Sequence, residues 1–466
     1  MTFPEGFVWG AASSAYQTEG SPLAEGGGPS IWDTFSAAKG SIADESDGSV
    51  AADAYHRYAE DISLAAEMGL HAYRFSVSWA RLDPMGNGHW NDKGFQFYLQ
   101  LLHCCLKAGL TPYVTLYHWE LPQALQDKGG WLSPATSAAF ARFAREAALR
   151  FKPFVQHYIT LNEPQCTVGL GHGRGVHAPG LKLPVRAQLQ VLHNQLLAHG
   201  LAARALRDVD STLRVGIAST GRLCWPRTDS SEDVYAAEQA TFACPDEDWT
   251  FTHQMILDPV CLGKYPDDCG QTLCQMLDQL PKEDMELIHA VPDFIGLNIY
   301  NGCEVYAGEM GEAIYSRRAP GFPLTALKWP VTPQVMDWGV RLLHQRYGLP
   351  LYITENGQSC NDRIFLDGKV HDPDRIDFLQ RYLLCLQNAI QNGADVRGYF
   401  HWALTDNFEW CDGYRERFGL IFVDYPTQKR IPKDSAAWYA QVVASNGHTL
   451  QITHPDMKAS RQSAGE

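Results

Sequence analysis

The chain has 466 residues, 45% of them hydrophobic and 20% charged, with a net charge of −15. It is long enough to bury a large core, and its make-up is that of an ordinary globular protein. An acidic chain repels phosphate backbones and anionic lipid surfaces, which argues against nucleic-acid and membrane partners, and no apolar run approaches the roughly 18 residues of a membrane span. Thirteen Trp are present. Indoles pack cores or stack on flat ligands, and the C–H faces of sugars are flat. The twelve Cys are scattered, with one adjacent pair, Cys104-Cys105, and no Cys-x-x-Cys; they read as mostly buried free thiols. Neither clustered zinc ligands nor His-Glu-x-x-His occurs, so no metal or other cofactor is expected. The start, Met1-Thr2-Phe3-Pro4-Glu5-Gly6, has no basic segment followed by an apolar run. The expected compartment is therefore the cytoplasm, where free thiols persist.

Taken in chain order, short apolar, β-branched or aromatic runs predict eight strands: Phe7–Ala12, His71–Ser76, Thr111–Tyr117, His157–Leu161, Arg214–Ala218, Asp293–Ile299, Leu351–Thr354 and Gly398–Trp402. Helical patterns lie between them. Tyr55–Met68 stops before Gly69. Pro134–Phe151 follows Ser133, a good N-cap residue, and lines up Phe140, Phe143, Ala144, Ala147 and Phe151 on one face. Asp374–Asn392 repeats the stripe with Ile376, Leu379, Leu383, Leu386 and Ile390, and Gly393 supplies a C-cap. Strand and helix alternating eight times predict parallel strands with right-handed crossovers, closed into a single (β/α)8 TIM barrel with loop insertions. The alternative, an open doubly wound sheet, calls for a glycine-rich phosphate turn after the first strand. Here Ser13-Ser14-Ala15-Tyr16-Gln17 follows instead. Residues 1–446 are assigned to the barrel, and 447–466 to a polar tail that frays.

In such a barrel, chemistry sits at the C-terminal ends of the strands. The residues there are polar and aromatic: Gln17, His118-Trp119, Asn162-Glu163, Asn298 and Tyr300, Glu355-Asn356, and Trp402. Two carboxylates, Glu163 after the fourth strand and Glu355 at the seventh, face one mouth. One Glu at a strand end is most simply an ion-pair partner. Two of them, each in an Asn-bearing motif among Trp side chains, form the pair that glycoside hydrolysis requires.

At these residues the sequence resembles glycoside hydrolase family 1, the β-glucosidase and β-galactosidase family. Thr160-Leu161-Asn162-Glu163-Pro164 is similar to its acid/base motif, and Ile353-Thr354-Glu355-Asn356-Gly357 to its nucleophile motif. Phe7-Val8-Trp9-Gly10-Ala11-Ala12, Tyr73-Arg74-Phe75-Ser76, Thr115-Leu116-Tyr117-His118-Trp119, Asp406-Asn407-Phe408-Glu409-Trp410 and Arg417-Phe418-Gly419-Leu420 extend the resemblance from about residue 3 to about residue 445. The resemblance implies a retaining β-glycosidase acting on small β-glucosides or oligosaccharides, with side activity on β-galactosides or β-fucosides. Glu355 would form the covalent glycosyl-enzyme. Glu163 would give a proton and then act as base, with the two carboxyls about 5–5.5 Å apart. Arg74 and Tyr300 would keep Glu355 ionised and oriented, with Asn298 beside them. Gln17, His118, Asn162 and Glu409 would bond sugar hydroxyls, Asn162 at the 2-hydroxyl. Trp402 would floor the glycone subsite, Trp410 would bond a hydroxyl through its N–H, and Trp329 would wall the aglycone side. Trp119 and Phe418 join this substrate-binding set.

A phosphoglycosidase branch of the family carries Ser, Lys and Tyr where this chain has Glu409, Glu416 and Phe418. Carboxylates repel a phosphate dianion, so unphosphorylated sugars are expected. Another branch lacks the acid carboxylate, which Glu163 supplies here. Ser219-Thr220 stands where the family often has an Asn, and Cys166-Thr167 lies just past Glu163, which leaves the aglycone unread. The competing readings are a transglycosylating enzyme with the same site, a 6-phospho-β-glycosidase, and a sugar-binding barrel without activity. Any homo-oligomeric state is left open.

Overall fold

The structure, a computed structural model, describes residues 2–451. Eight parallel strands close into a barrel, each paired with its neighbours in sequence and the last with the first. They are β1 Val8–Ala12, β2 Ala72–Ser76, β3 Thr111–Tyr117, β4 His157–Asn162, β5 Arg214–Ser219, β6 Phe294–Asn298, β7 Leu351–Asn356 and β8 Val396–Trp402. The strands are buried along nearly their whole length, because helices cover them outside and side chains fill them inside. The predicted (β/α)8 barrel is the observed one, with strand ends moved by one or two residues.

The barrel floor is aromatic. Tyr113 packs edge-on to Phe400 with ring centroids 4.9 Å apart, and Phe294 packs edge-on to Tyr352 at 5.1 Å. These rings need backbone without side chains beneath them. A Cβ on Gly216 would stand 2.3 Å from Phe294, and one on Gly10 would stand 2.6 Å from Phe400, so glycine is required at both positions by close approach.

Helix Pro134–Phe151 buries Phe140, Phe143, Ala144, Ala147 and Phe151, the stripe read from the sequence. Helix Ala54–Glu67 ends in a Schellman motif: Gly69, at φ +72°, donates to Ala66 O at 2.8 Å and Leu70 to Ala65 O at 3.3 Å. Gly393 ends helix Pro373–Gln391 in the same way, donating to Ile390 O at 3.0 Å while Ala394 reaches Ala389 O at 3.1 Å. Ser133 does sit at the N-cap, but its side chain makes no capping bond. Pro at the first helical position removes one orphan N–H, and the nearby Thr136 hydroxyl ties this corner to Gly130 O at 2.6 Å.

Two small sheets lie outside the predicted alternation. A small sheet joins Cys224–Pro226, Cys303–Ala307 and Ala313–Tyr315, and a hairpin pairs Ile421–Asp424 with Lys429–Pro432. Helix Val185–Val209 runs 25 residues between β4 and β5. Residues His448–Gln451 form a 3-10 turn with Leu450 buried; the predicted tail beyond 451 lies outside the described residues. The expectation of free thiols needs one correction, because Cys269 and Cys274 are joined as a disulfide. Their five-residue separation in one surface segment sets the Cα atoms 5.8 Å apart, within bonding reach. The other ten form no disulfide, and half of them are buried and half partly exposed.

Candidate active site

Strand irregularity marks the site before any side chain is considered. The β4–β5 register shifts between Ile159 and Asn162, and β7 shifts against both β6 and β8 beyond Ile353. Bulges at barrel rims re-aim side chains, and here they precede Glu163 and accompany Glu355. Glu163 (φ +46°), Trp119 (φ +75°) and Trp410 (φ +50°) hold the left-handed conformation, at a cost of about 1–3 kcal/mol each that the surrounding packing must offset. All three face one cavity of about 500 Å³ at the C-terminal mouth.

The two carboxylates differ in their partners. Glu355 receives Arg74 Nη1 at 2.7 Å on Oε1 and the Tyr300 hydroxyl at 2.8 Å on Oε2. Both members of the Arg74–Glu355 pair are buried. Arg74 is itself fixed, with Nη1 also on Thr354 O at 2.9 Å, Nη2 on Asn162 Oδ1 at 2.7 Å and Nε on Thr115 Oγ1 at 3.2 Å. Among the described residues no cation contacts Glu163. It accepts from Asn298 Nδ2 at 2.6 Å and from the Cys166 thiol at 3.0 Å. Burial raises the proton affinity of both carboxyls. At Glu355 the Arg74 cation and the Tyr300 hydroxyl oppose burial. At Glu163 the Glu355 charge adds to it and pushes the pKa up to about 7. These partners favour a shared proton on Glu163 over Glu355.

Around them, His118, Trp119, Asn298, Tyr300, Trp329 and Trp402 line the cavity, as do Glu409, Trp410 and Phe418. His118 is neutral, because burial and the nearby Arg74 charge hold its pKa well below the usual range. One ring nitrogen takes a bond of 3.2 Å from Asn162 Nδ2, and Nδ1 is buried with no protein partner. Burial, with Asp412, Glu355, Glu416 and Glu163 adding to it, pushes the Glu409 pKa well up.

Three of the sequence-derived residues stand behind the wall. Arg74 is there as the partner of Glu355. Gln17 is fully buried, with Oε1 taking Ser14 Oγ at 2.7 Å and Nε2 given to Phe408 O at 2.9 Å and Asn407 Oδ1 at 3.1 Å. Asn162 spends its oxygen on Arg74 and on Asn298 Nδ2, the latter at 3.0 Å. The loop bearing Glu409, Trp410 and Phe418 is pinned by buried ions: Lys433 Nζ reaches Asp406 at 2.7 Å and Asp362 at 2.5 Å, and Arg417 reaches Asp406 at 2.6 Å. Sequence reading missed His177, Arg222, Asp248, Phe251 and Leu327, which also line the cavity. They come from loops with no periodicity, and only Arg222, three residues past β5, lay near a predicted strand end. Among the described residues no group of three or more His, Cys, Asp or Glu is arranged to hold a metal ion, and no helix is long and apolar enough to cross a membrane.

A closed (β/α)8 barrel with two buried, unequal carboxylates in an aromatic cavity at its C-terminal mouth defines a barrel glycosidase. Residues 1–448 match the family model described as Glycosyl hydrolase family 1. Beta-glucosidase A of Thermotoga maritima is 41% identical over 451 residues, 96% of this chain and 98% of the relative. A bifunctional beta-D-glucosidase/beta-D-fucosidase of Bifidobacterium breve is 38% identical over 471 residues, 96% of this chain and 99% of the relative. The solved structure of beta-glucosidase from Thermotoga maritima in complex with deoxynojirimycin superposes with a TM-score of 0.87 at 40% identity, covering 96% of this chain and 99% of that one. The chain belongs to glycosyl hydrolase family 1.

Proposed function

We propose that this enzyme is a retaining β-glycosidase that removes non-reducing-end β-D-glucose, with β-galactosides and β-fucosides as side substrates. The observation that carries the reading is the unequal carboxylate pair. Glu355, held by Arg74 and Tyr300, is the ionised nucleophile. Glu163, with its pKa pushed up to about 7, is the acid that protonates the leaving oxygen. Once Glu355 is esterified its charge is gone, and Glu163, having passed its proton to the leaving oxygen, stays ionised more easily and serves as base on the incoming water. His118, Glu409 and the indoles of Trp402 and Trp410 bind the glycone; Trp329 and Phe418 border it. The similarity to relatives named for glucosidase and fucosidase activity supports this glycone. Transfer of the glucosyl group to an alcohol instead of water uses the same two residues and is a side reaction of this mechanism. The ten cysteines outside the disulfide favour a reducing compartment, the cytoplasm.

The test is p-nitrophenol release from the aryl β-D-glucoside beside its 6-phosphate. Turnover of the unphosphorylated compound alone is expected, because Glu409 and Glu416 supply no cation where a phosphate needs one. Turnover of the phosphorylated compound alone would overturn the glycone assignment.

A further inference from the structure

The acid/base carboxyl must alternate between two protonation states in every turnover, and its two hydrogen-bond partners meet that demand differently. Asn298 is a fixed donor. Its Oδ1 accepts the Thr354 hydroxyl at 2.6 Å, so its Nδ2 faces Glu163 Oε1 at 2.6 Å and Asn162 Oδ1 at 3.0 Å. An amide locked this way cannot turn to accept. Any proton on Glu163 therefore resides on Oε2, and the group facing Oε2 is the thiol of Cys166 at 3.0 Å.

Local geometry explains why that thiol is there. Glu163 caps the short turn Pro164–Cys166, whose first bond runs from Cys166 N to Glu163 O at 3.0 Å. Three residues on in a helical turn is the same side of that turn, so Cys166 is set beneath the carboxyl it follows. It is buried, 7% exposed, yet it lines the catalytic cavity. Burial and the adjacent Glu163 charge push the Cys166 thiol well up, so it remains S–H. A thiol is both a weak donor and a weak acceptor.

We propose that Cys166 is a positioning residue for the acid/base: its S–H donates to Oε2 while Glu163 is ionised, and its sulfur accepts the Oε2 proton while Glu163 is the acid. Because both bonds are weak, the proton passes to the glycosidic oxygen in the first step without breaking a strong contact. In the second step Oε2 takes a proton from the attacking water while the thiol steadies it. This rests on the assignment of Glu163 under the proposed function. The charged and titratable groups facing Glu163 from the surrounding elements are Arg74 of β2, His118 beyond β3, Tyr300 beyond β6, Glu355 of β7 and Glu409 beyond β8. They are the same in every variant below, so they cancel in the comparison.

The experiment is the pH dependence of kcat/KM on an aryl glucoside with a poor leaving group, for the native enzyme, C166A and C166S, with the thermal unfolding of each recorded. The alkaline limb reports the Glu163 proton. It is expected to move up in C166A by about half a pH unit, roughly three-fold in proton affinity, because a donor to the ionised form is lost. In C166S it is expected to move down by a similar amount, because a hydroxyl donates more strongly than a thiol. Packing alone would not shift two folded variants in opposite directions. Either variant carries the sign test if the other does not fold. Limbs that coincide, or that move the same way in both variants, overturn the proposal. Glu163→Ala with azide separates the two readings: formation of β-glucosyl azide upholds the acid/base assignment whatever Cys166 does, and an unaltered E163A would overturn both.

Discussion

Replacing Glu355 by Ala is expected to lower kcat by roughly 10⁴-fold or more, the scale seen when a covalent nucleophile is removed. Glu355 is the group that forms the bond to the anomeric carbon, and the Arg74 cation holds its carboxylate. The substitution leaves Arg74 Nη1 and the Tyr300 hydroxyl, which now hold Glu355 at 2.7 and 2.8 Å, pointing into the space of the missing carboxyl. Two donors, one of them charged, form a ready seat for a small anion. Azide or formate is therefore expected to restore part of the turnover, giving an α-glucosyl product by a single displacement. Circular dichroism is run alongside, since removing one partner of a buried ion pair costs about 3–5 kcal/mol of stability. A folded E355A enzyme with an unchanged rate would sink the nucleophile assignment.

Glu163→Ala is expected to act in a way that depends on the leaving group. General acid catalysis contributes roughly 10²–10⁴-fold, and that loss should appear in full for alkyl glucosides and oligosaccharides. Dinitrophenyl glucoside leaves without a proton, so its first step should be nearly intact while the second, deprived of its base, stalls after a burst. The pH profile carries the same information. In the native enzyme activity requires protonated Glu163, so it falls as pH rises through about 7, and it falls again at low pH as Glu355 takes up a proton. In E163A the alkaline limb should vanish and the acid limb should remain. An alkaline limb that persists in E163A would show that another group carries the proton.

The sequence carried the barrel far better than its decoration. All eight barrel strands were legible because each is buried on both faces and so reads as a continuous apolar run. The sheet Cys224–Pro226, Cys303–Ala307 and Ala313–Tyr315 was not, because its strands are short, the last two are partly exposed, and the first lies far from them in the chain. Glu163 and Glu355 could be picked from strand ends, but their inequality could not be derived there. It depends on Arg74, 281 positions from Glu355, and on the closure that brings β2 beside the other side of the mouth. Gln17 and Asn162 show what spacing leaves out: in the structure their amides bond Ser14, Phe408, Arg74 and Asn298, partners that no motif position reveals. Cys166 was noticed only as a neighbour of Glu163, and its contact with Oε2 emerges from the turn geometry.

The central claim, a covalent intermediate on Glu355 resolved by Glu163, is tested most directly by the anomer first released from an aryl β-D-glucoside, followed by proton NMR before mutarotation. Two displacements at one carbon predict β-glucose as the first product. Initial release of α-glucose would mean a single displacement by water and would contradict the account.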